Sequence, residues 1–248
     1  MNIQHYLKRF SSEVDTPSLT HLTSLQNNHI MHIPFENLDV IRRVPIYLNL
    51  ETMYEKIVHQ NRGGYCYELN GLFQYFLSEL GYACHLVGAT VMRPDGSWAK
   101  EHTHAAIVVD VDQPYLVDVG FGAYTPRVPI PLGSDAKTPI DEIYATKKVD
   151  EHVFDLIWEE NGERKTLYRF HTDEKSLIDF HEGCIFNQVS TQSTFTHVDI
   201  VSLGTKSGRL ILQDHLLKEH CGAIYQEHPL TAEEKTHVLA QRFSICLN

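Results

Sequence analysis

The stretch Arg62-Gly63-Gly64-Tyr65-Cys66-Tyr67-Glu68-Leu69-Asn70-Gly71-Leu72-Phe73 sets one cysteine between a glycine pair and a run of helical periodicity. Leu69, Leu72, Phe73, Phe76, Leu77 and Leu80 recur at steps of three and four, the spacing of one buried helix face. Cys66 then falls in the first turn, where unpaired N–H groups and the positive end of the helix dipole favour a thiolate over a thiol. A free cysteine is more often a small buried hydrophobe. The two roles are told apart by whether a histidine and a carboxylate stand where the fold can bring them to the sulfur.

Around this stretch, residues 2 to 80 read as mostly helical. Tyr6, Phe10 and a Thr16-Pro17-Ser18-Leu19 start signal lead into Leu19, Leu22 and Leu25, and Ile33-Pro34 breaks the pattern. Ile33-Pro34-Phe35-Glu36-Asn37-Leu38 is expected to be a loop before a short extended piece, Val44 to Leu48, with helix resuming from Leu50 to Val58. From about Ala83 the grammar is that of strands. Cys84 to Met92 turns at Arg93-Pro94-Asp95-Gly96, and Thr103 to Val111 turns at Asp112-Gln113-Pro114 into Tyr115 to Val119, which Gly120-Phe121-Gly122 ends. Val153 to Trp158, Asn161-Gly162 and Lys165 to Phe170 form a further hairpin, so the middle of the chain is an antiparallel sheet or small barrel. Pro126 to Pro139 is expected to be a loop wrapping that sheet, and Thr172 to His181 a helical insertion. Leu203 to Leu212 reads as a hairpin turning at Lys206-Ser207-Gly208-Arg209, and Thr231 caps a final helix.

The 248 residues carry 32 Asp and Glu against 21 Lys and Arg, a formal charge of −11, so the overall field repels phosphate backbones and nucleic acid is not an expected partner. A phosphorylated cofactor remains compatible with a locally basic cleft or with backbone N–H groups. Five cysteines without paired spacing read as free thiols in a reducing compartment. The first residues lack the apolar core of a signal peptide and no apolar run is long enough to span a bilayer, so no membrane association and a cytoplasmic location are expected.

Cys66 needs a base, and the second apolar strand begins Glu101-His102-Thr103-His104-Ala105. His102 and His104 share one strand face, so alternation leaves both open. Asp118 interrupts the apolar run Tyr115-Leu116-Val117-Asp118-Val119, where a bare carboxylate would be costly, and the turn at Gln113 brings it roughly opposite His104. It is the candidate for holding the imidazole tautomer and charge. The His102/His104 pair lacks further ligands at metal spacing, so no metal is expected. Arg62 and Glu36 are read as a buried ion pair tying the Pro34 loop to the Gly63-Gly64 turn. Cys84, Cys184, Cys221 and Cys246 are read as packing or surface thiols.

These motifs resemble those of the arylamine N-acetyltransferases. Pro34-Phe35-Glu36-Asn37-Leu38 is similar to that family's PFENL element, Arg62 to Asn70 to its RGGxCxExN nucleophile motif, Thr103-His104 to its histidine strand and Val117 to Gly122 to its VDxGFG element. The resemblance implies an α+β fold with a helical bundle (1–82), an antiparallel β-barrel (83–190) and a C-terminal α/β lid (191–248), holding a papain- or transglutaminase-like cysteine triad. It implies Cys66 as acetyl-accepting nucleophile, His104 rather than His102 as base, and Asp118 as orienting carboxylate. It also implies acetyl-CoA as co-substrate, an arylamine or arylhydrazine acceptor, and a role in xenobiotic metabolism. Gly120, Phe121 and Gly122, with Ser193 of the segment Asn187 to Thr196, are the expected CoA contacts, and Phe35, Tyr65 and Thr103 the expected acceptor contacts. A monomer and a dimer are both compatible with the sequence. The competing class is a cysteine hydrolase with the same triad order, in which water replaces the amine.

Overall fold

The helical spacing after Cys66 is realised as α5 (Cys66–Glu79) in the computed structural model, which describes residues 1–140, 142–160, 162–222 and 224–247. Its buried face meets Tyr6 and Leu7 of α1 (Ile3–Arg9) and Leu22 and Leu25 of α2 (Leu19–His32) in one apolar core. Two shorter helices, α3 (Leu38–Ile41) and α4 (Leu50–Tyr54), complete the bundle, α4 running on through a π turn over Glu55–His59. The expected loop at Ile33–Leu38 instead contains a two-residue strand, β1 (Phe35–Glu36), which pairs with Val201 and Ser202. Arg62 neutralises Glu36, which lets this segment lie buried. Val44 to Leu48 is irregular and is held at its centre by a side chain: Ile46 N donates to Gln188 Oε1 at 2.8 Å, and Ile46 O accepts from Gln188 Nε2 at 3.1 Å.

The second layer is a single antiparallel sheet of eight strands: β2 (Ala83–Val91), β3 (His104–Asp110), β4 (Pro114–Val117), β5 (Ile130–Pro131), β6 (Asp135–Lys137), β7 (Ile143–Asp150), β8 (Val153–Glu160) and β9 (Glu163–His171). Their order is β5-β4-β3-β2-β9-β8-β7-β6. Thr146 of β7 donates from N to Ser134 O and from Oγ1 to Pro131 O, each at 2.8 Å, so the two ends of the sheet meet in a nearly closed barrel. β3 is apolar almost throughout because both its faces are covered. Ala105, Ile107 and Val109 pack against the bundle, whereas Ala106 and Val108 point into the barrel with Leu116, Leu156 and Tyr168. Two expectations are corrected here. The Pro126–Pro139 segment is not all loop but carries β5 and β6, and the insertion after Thr172 becomes helical later than expected. A 3-10 turn at Leu177–Phe180, opened by Asp179 accepting from Ser176 N at 2.7 Å, leads into α6 (His181–Val189). Of the expected turn residues Asn161 and Gly162, Asn161 lies outside the described residues.

Four C-terminal strands, β10 (Ile200–Thr205), β11 (Gly208–Gln213), β12 (Leu216–Cys221) and β13 (Ile224–Pro229), add to β1 in the order β1-β10-β11-β12-β13. The last helix, α7 (Ala232–Arg242), begins with the predicted capping box: Thr231 N donates to Glu234 Oε2 at 2.7 Å and Glu234 N to Thr231 Oγ1 at 3.3 Å. Leu239 of α7 and Phe243 cover Val201, Leu210, Leu212 and Leu217 of this sheet. No described helix is long and apolar enough to cross a membrane.

Candidate active site

The approach to Cys66 is fixed by what surrounds its two glycines. A Cβ on Gly63 would lie 1.9 Å from Pro34 O, and one on Gly64 2.8 Å from Glu68 Cβ, so no larger residue fits. Beneath them, Arg62 Nη2 contacts Glu36 Oε1 at 2.6 Å and Asp39 Oδ1 at 2.9 Å, while Lys56 Nζ contacts Asp39 Oδ2 at 2.8 Å and Glu68 Oε1 at 2.9 Å. The expected Arg62–Glu36 pair is thus part of a larger buried network. Burial works against the Lys56 charge, but Glu68, Glu36 and Asp39 outweigh it and raise its pKa; burial raises that of Glu68 against the pull of Lys56. Glu68 Oε2 also accepts from Tyr65 N at 3.1 Å, which anchors the residue just before the cysteine.

Cys66 is the first residue of α5, and its Sγ lies 3.8 Å from Thr103 O. His104 opens β3 and holds Asp118 Oδ2 with Nε2 at 2.7 Å, which leaves Nδ1 as the ring nitrogen available to Cys66. Burial opposes a charged ring here, but the Asp118 carboxylate and the bond to it, with Cys66 adding to them, push the His104 pKa up to about 10. Asp118 is fully buried. Its Oδ2 also accepts from Tyr168 hydroxyl at 2.9 Å, and its Oδ1 from Asn70 Nδ2 at 2.9 Å and Gly120 N at 2.8 Å. Burial raises its pKa, yet the His104 charge and these donors hold it below the usual carboxylate range. The contact arises differently from the expected opposed pair. The ladder sets Val117 against Ile107 and, continued, would set Asp118 against Ala106. His104 reaches Asp118 diagonally, from two residues along, because β4 ends at Val117 and frees the chain to turn.

A cleft of about 910 Å³ opens over the sulfur. Cys66, Thr103 and His104 line it, with Phe35, Phe121 and Phe195 as an aromatic wall. Gly120 and Gly122 border it as well; a Cβ on Gly120 would lie 2.8 Å from Cys66 Cα. Two of the residues read as contacts lie elsewhere. Tyr65 is wholly buried with its hydroxyl 2.6 Å from Cys184 Sγ, because its position just before α5 turns the ring into the core. Ser193 is buried with Oγ donating to Asn187 Oδ1 at 3.3 Å, and it opens the 3-10 turn whose Thr194 and Phe195 do line the cleft. Among the described residues no group of three or more His, Cys, Asp or Glu is placed to hold a metal ion.

The sequence profile of the N-acetyltransferase family matches residues 18–248. The arylamine N-acetyltransferase of Mycolicibacterium smegmatis is 34% identical over 257 residues, covering 100% of this chain and 93% of its own. The chain belongs to the arylamine N-acetyltransferase family. Among solved structures of that family, Mycobacterium marinum arylamine N-acetyltransferase in complex with CoA is similar at TM-score 0.91 and 31% identity, covering 98% of this chain and 93% of that one. The Bacillus cereus enzyme, described with a Cys-His-Glu catalytic triad, is similar at TM-score 0.91 and 27% identity over 98% of each chain. The cysteine hydrolase reading finds no support among these relatives.

Three residues of this acetyltransferase had no role assigned from the sequence. Asn70 stands one helical turn after Cys66 and donates to Ala105 O at 2.7 Å as well as to Asp118, while its Oδ1 accepts from Val119 N at 2.9 Å. An amide on a helix face otherwise apolar was the available signal. Asn187 of α6 donates to Thr103 O at 3.1 Å, the carbonyl that faces the sulfur. Tyr168 sits on β9, and nothing local distinguishes its hydroxyl from that of any strand tyrosine.

Proposed function

We propose that Cys66, His104 and Asp118 carry out a ping-pong acetyl transfer from acetyl-CoA to an arylamine or arylhydrazine nitrogen. The Cys66 thiolate attacks the acetyl carbonyl carbon, the carbon–sulfur bond to CoA breaks, and CoA leaves as a thiolate. One thioester replaces another, so this half-reaction is close to balanced. The amine then attacks acetyl-Cys66, His104 takes the proton from nitrogen, and the Cys66 thiolate departs. The backbone N–H groups at the start of α5 are the oxyanion donors. The observation that carries this reading is that Cys66 and His104 line one open cleft, with the imidazole held by a carboxylate that accepts four hydrogen bonds.

The M. marinum relative in complex with CoA supports the donor, and a cleft of about 910 Å³ has the size of a ligand site. The aromatic wall of Phe35, Phe121 and Phe195 suits an aryl acceptor, whose nitrogen is unprotonated near neutral pH and has its lone pair available. Residues 1–82, 83–190 and 191–248 are read as three lobes that meet at the cleft, the first supplying Cys66 and the second His104 and Asp118. One chain supplies all three residues, so transfer does not require a second copy. All five cysteines are free, which supports a reducing, cytoplasmic setting. Initial rates measured at several fixed acetyl-CoA concentrations over a range of arylamine should give parallel double-reciprocal lines. Lines that converge would mean that both substrates bind before transfer, and the acetyl-cysteine cycle would be rejected.

A further inference from the structure

A second cavity, of about 20 Å³, lies behind the turn that frames the cleft. Phe35, Gly122 and Ala123 wall both spaces, so this turn stands between them. The far side of the small cavity is formed by α2 at Ile30 and by the C-terminal sheet at Ser202 and Arg209. Two guanidiniums line it, those of Arg127 and Arg209, each more than nine-tenths buried. Arg209 is well provided for: it pairs with Glu142, donates from Nη1 to Ala123 O at 2.7 Å and lies 5.2 Å from the centre of the Tyr124 ring. Arg127 is not. It donates from Nη1 to Thr205 O at 2.6 Å and from Nη2 to Gly208 O, and among the described residues no carboxylate pairs with it. Burial works against both charges and lowers both pKa values. Ser202 adds a hydroxyl that is buried at the same cavity and has no hydrogen-bond partner among the described residues. Two cations, one carboxylate and an unpaired hydroxyl around so small a space leave an excess positive charge and donors in want of an acceptor.

We infer that this cavity binds one small monovalent anion, chloride, between the Arg127 and Arg209 guanidiniums and the Ser202 hydroxyl. A volume of about 20 Å³ admits a single particle of roughly water's size, which excludes phosphate, sulfate and organic anions. Water fits as well but carries no charge, whereas a halide accepts from these donors and neutralises the cation that Glu142 leaves over. Arg127 holds the carbonyls of Thr205 and Gly208 on either side of the β10–β11 turn, and Arg209 holds that of Ala123. An anion joining the two guanidiniums therefore ties the Gly122–Tyr124 turn to the C-terminal sheet, at a place where Cys66 and His104 take no part.

The test measures urea midpoints of wild type, Ser202→Ala and Arg127→Met in sodium chloride and in sodium gluconate at equal ionic strength, so that screening of the acidic surface is the same in both. Crystals grown in sodium bromide supply a position by anomalous scattering. Chloride should raise the wild-type midpoint saturably above its value in gluconate. Ser202→Ala should raise the half-saturating chloride concentration by about tenfold, and Arg127→Met should abolish the difference between the two salts. Bromide should appear between the two guanidiniums, within hydrogen-bond reach of Ser202 Oγ. If Arg127→Met does not fold, the Ser202→Ala shift and the bromide position decide the matter. Equal midpoints in the two salts overturn the inference, as does a chloride effect of the same size and midpoint in wild type and Ser202→Ala. A water at the bromide position overturns it too, and so does a bromide peak with no chloride effect in solution, which would mean an adventitious ion only.

Discussion

Asp118 carries its charge in full burial, which is tolerated only because His104, Tyr168, Asn70 and Gly120 together give it four donors. Asp118→Asn keeps the shape but removes the charge that holds the imidazolium, and acetylation of Cys66 in single turnover should slow on the order of 10³-fold or more. A near-normal rate would remove Asp118 from the mechanism. Tyr168→Phe deletes one donor of four and should destabilise the fold by about 1 kcal/mol in urea unfolding while leaving acetylation readily measurable. The pH dependence has a definite sign. His104 has a folded pKa near 10, above its ordinary value, so its charged form adds stability in full below about pH 6.5, and this is lost as pH rises through about 10. The urea midpoint of wild type should therefore fall over that window, and that of Asp118→Asn should fall less. Asp118 was legible because a carboxylate interrupting an apolar strand stands out, and His104 was separable from His102 only by resemblance to the family motif. Tyr168 was not legible, since its importance lies in a hydrogen bond across 50 residues of chain that leaves no local mark.

The nucleophile helix and the histidine strand are joined by one amide. Asn70 on α5 bonds Ala105 O, Asp118 Oδ1 and Val119 N, so Asn70→Ala leaves three buried groups short of a partner. A loss of roughly 3 kcal/mol or more is expected in urea unfolding. A change below about 1 kcal/mol would mean that water or neighbouring groups replace the amide. Elements with a dense local pattern were readable: α5 from its spacing, β3 from its unbroken apolar run, and α7 from its capping box. Those that failed were β6, β7, β12 and β13, whose exposed residues such as Lys147, Lys148 and Glu227 break the alternation that marks a half-buried strand. Register was beyond sequence reading too, because the diagonal contact of His104 with Asp118 depends on where β4 stops.

Across the whole molecule, the buried ions under the glycine pair link the segment Glu36–Asp39, α4's π turn and the start of α5, which come from separate parts of the bundle. Arg62→Ala would leave the buried Glu36 and Asp39 with Lys56 and, at Asp39 alone, the more distant Arg42 to meet them, and a loss of about 3–5 kcal/mol is expected. An unchanged urea midpoint would show that these carboxylates become protonated or hydrated at little cost. The sequence disclosed the Arg62–Glu36 pair but not Lys56, whose burial follows from tertiary packing alone. In the proposed cycle three parts of the chain converge so that Cys66 accepts an acetyl group and passes it on. Intact-protein mass spectrometry after mixing wild type and Cys66→Ala with acetyl-CoA, followed by an arylamine, tests this cycle. One added acetyl group on wild type alone, lost when the amine arrives, is the expected result. No adduct on folded wild type, or an adduct on both proteins, would contradict it.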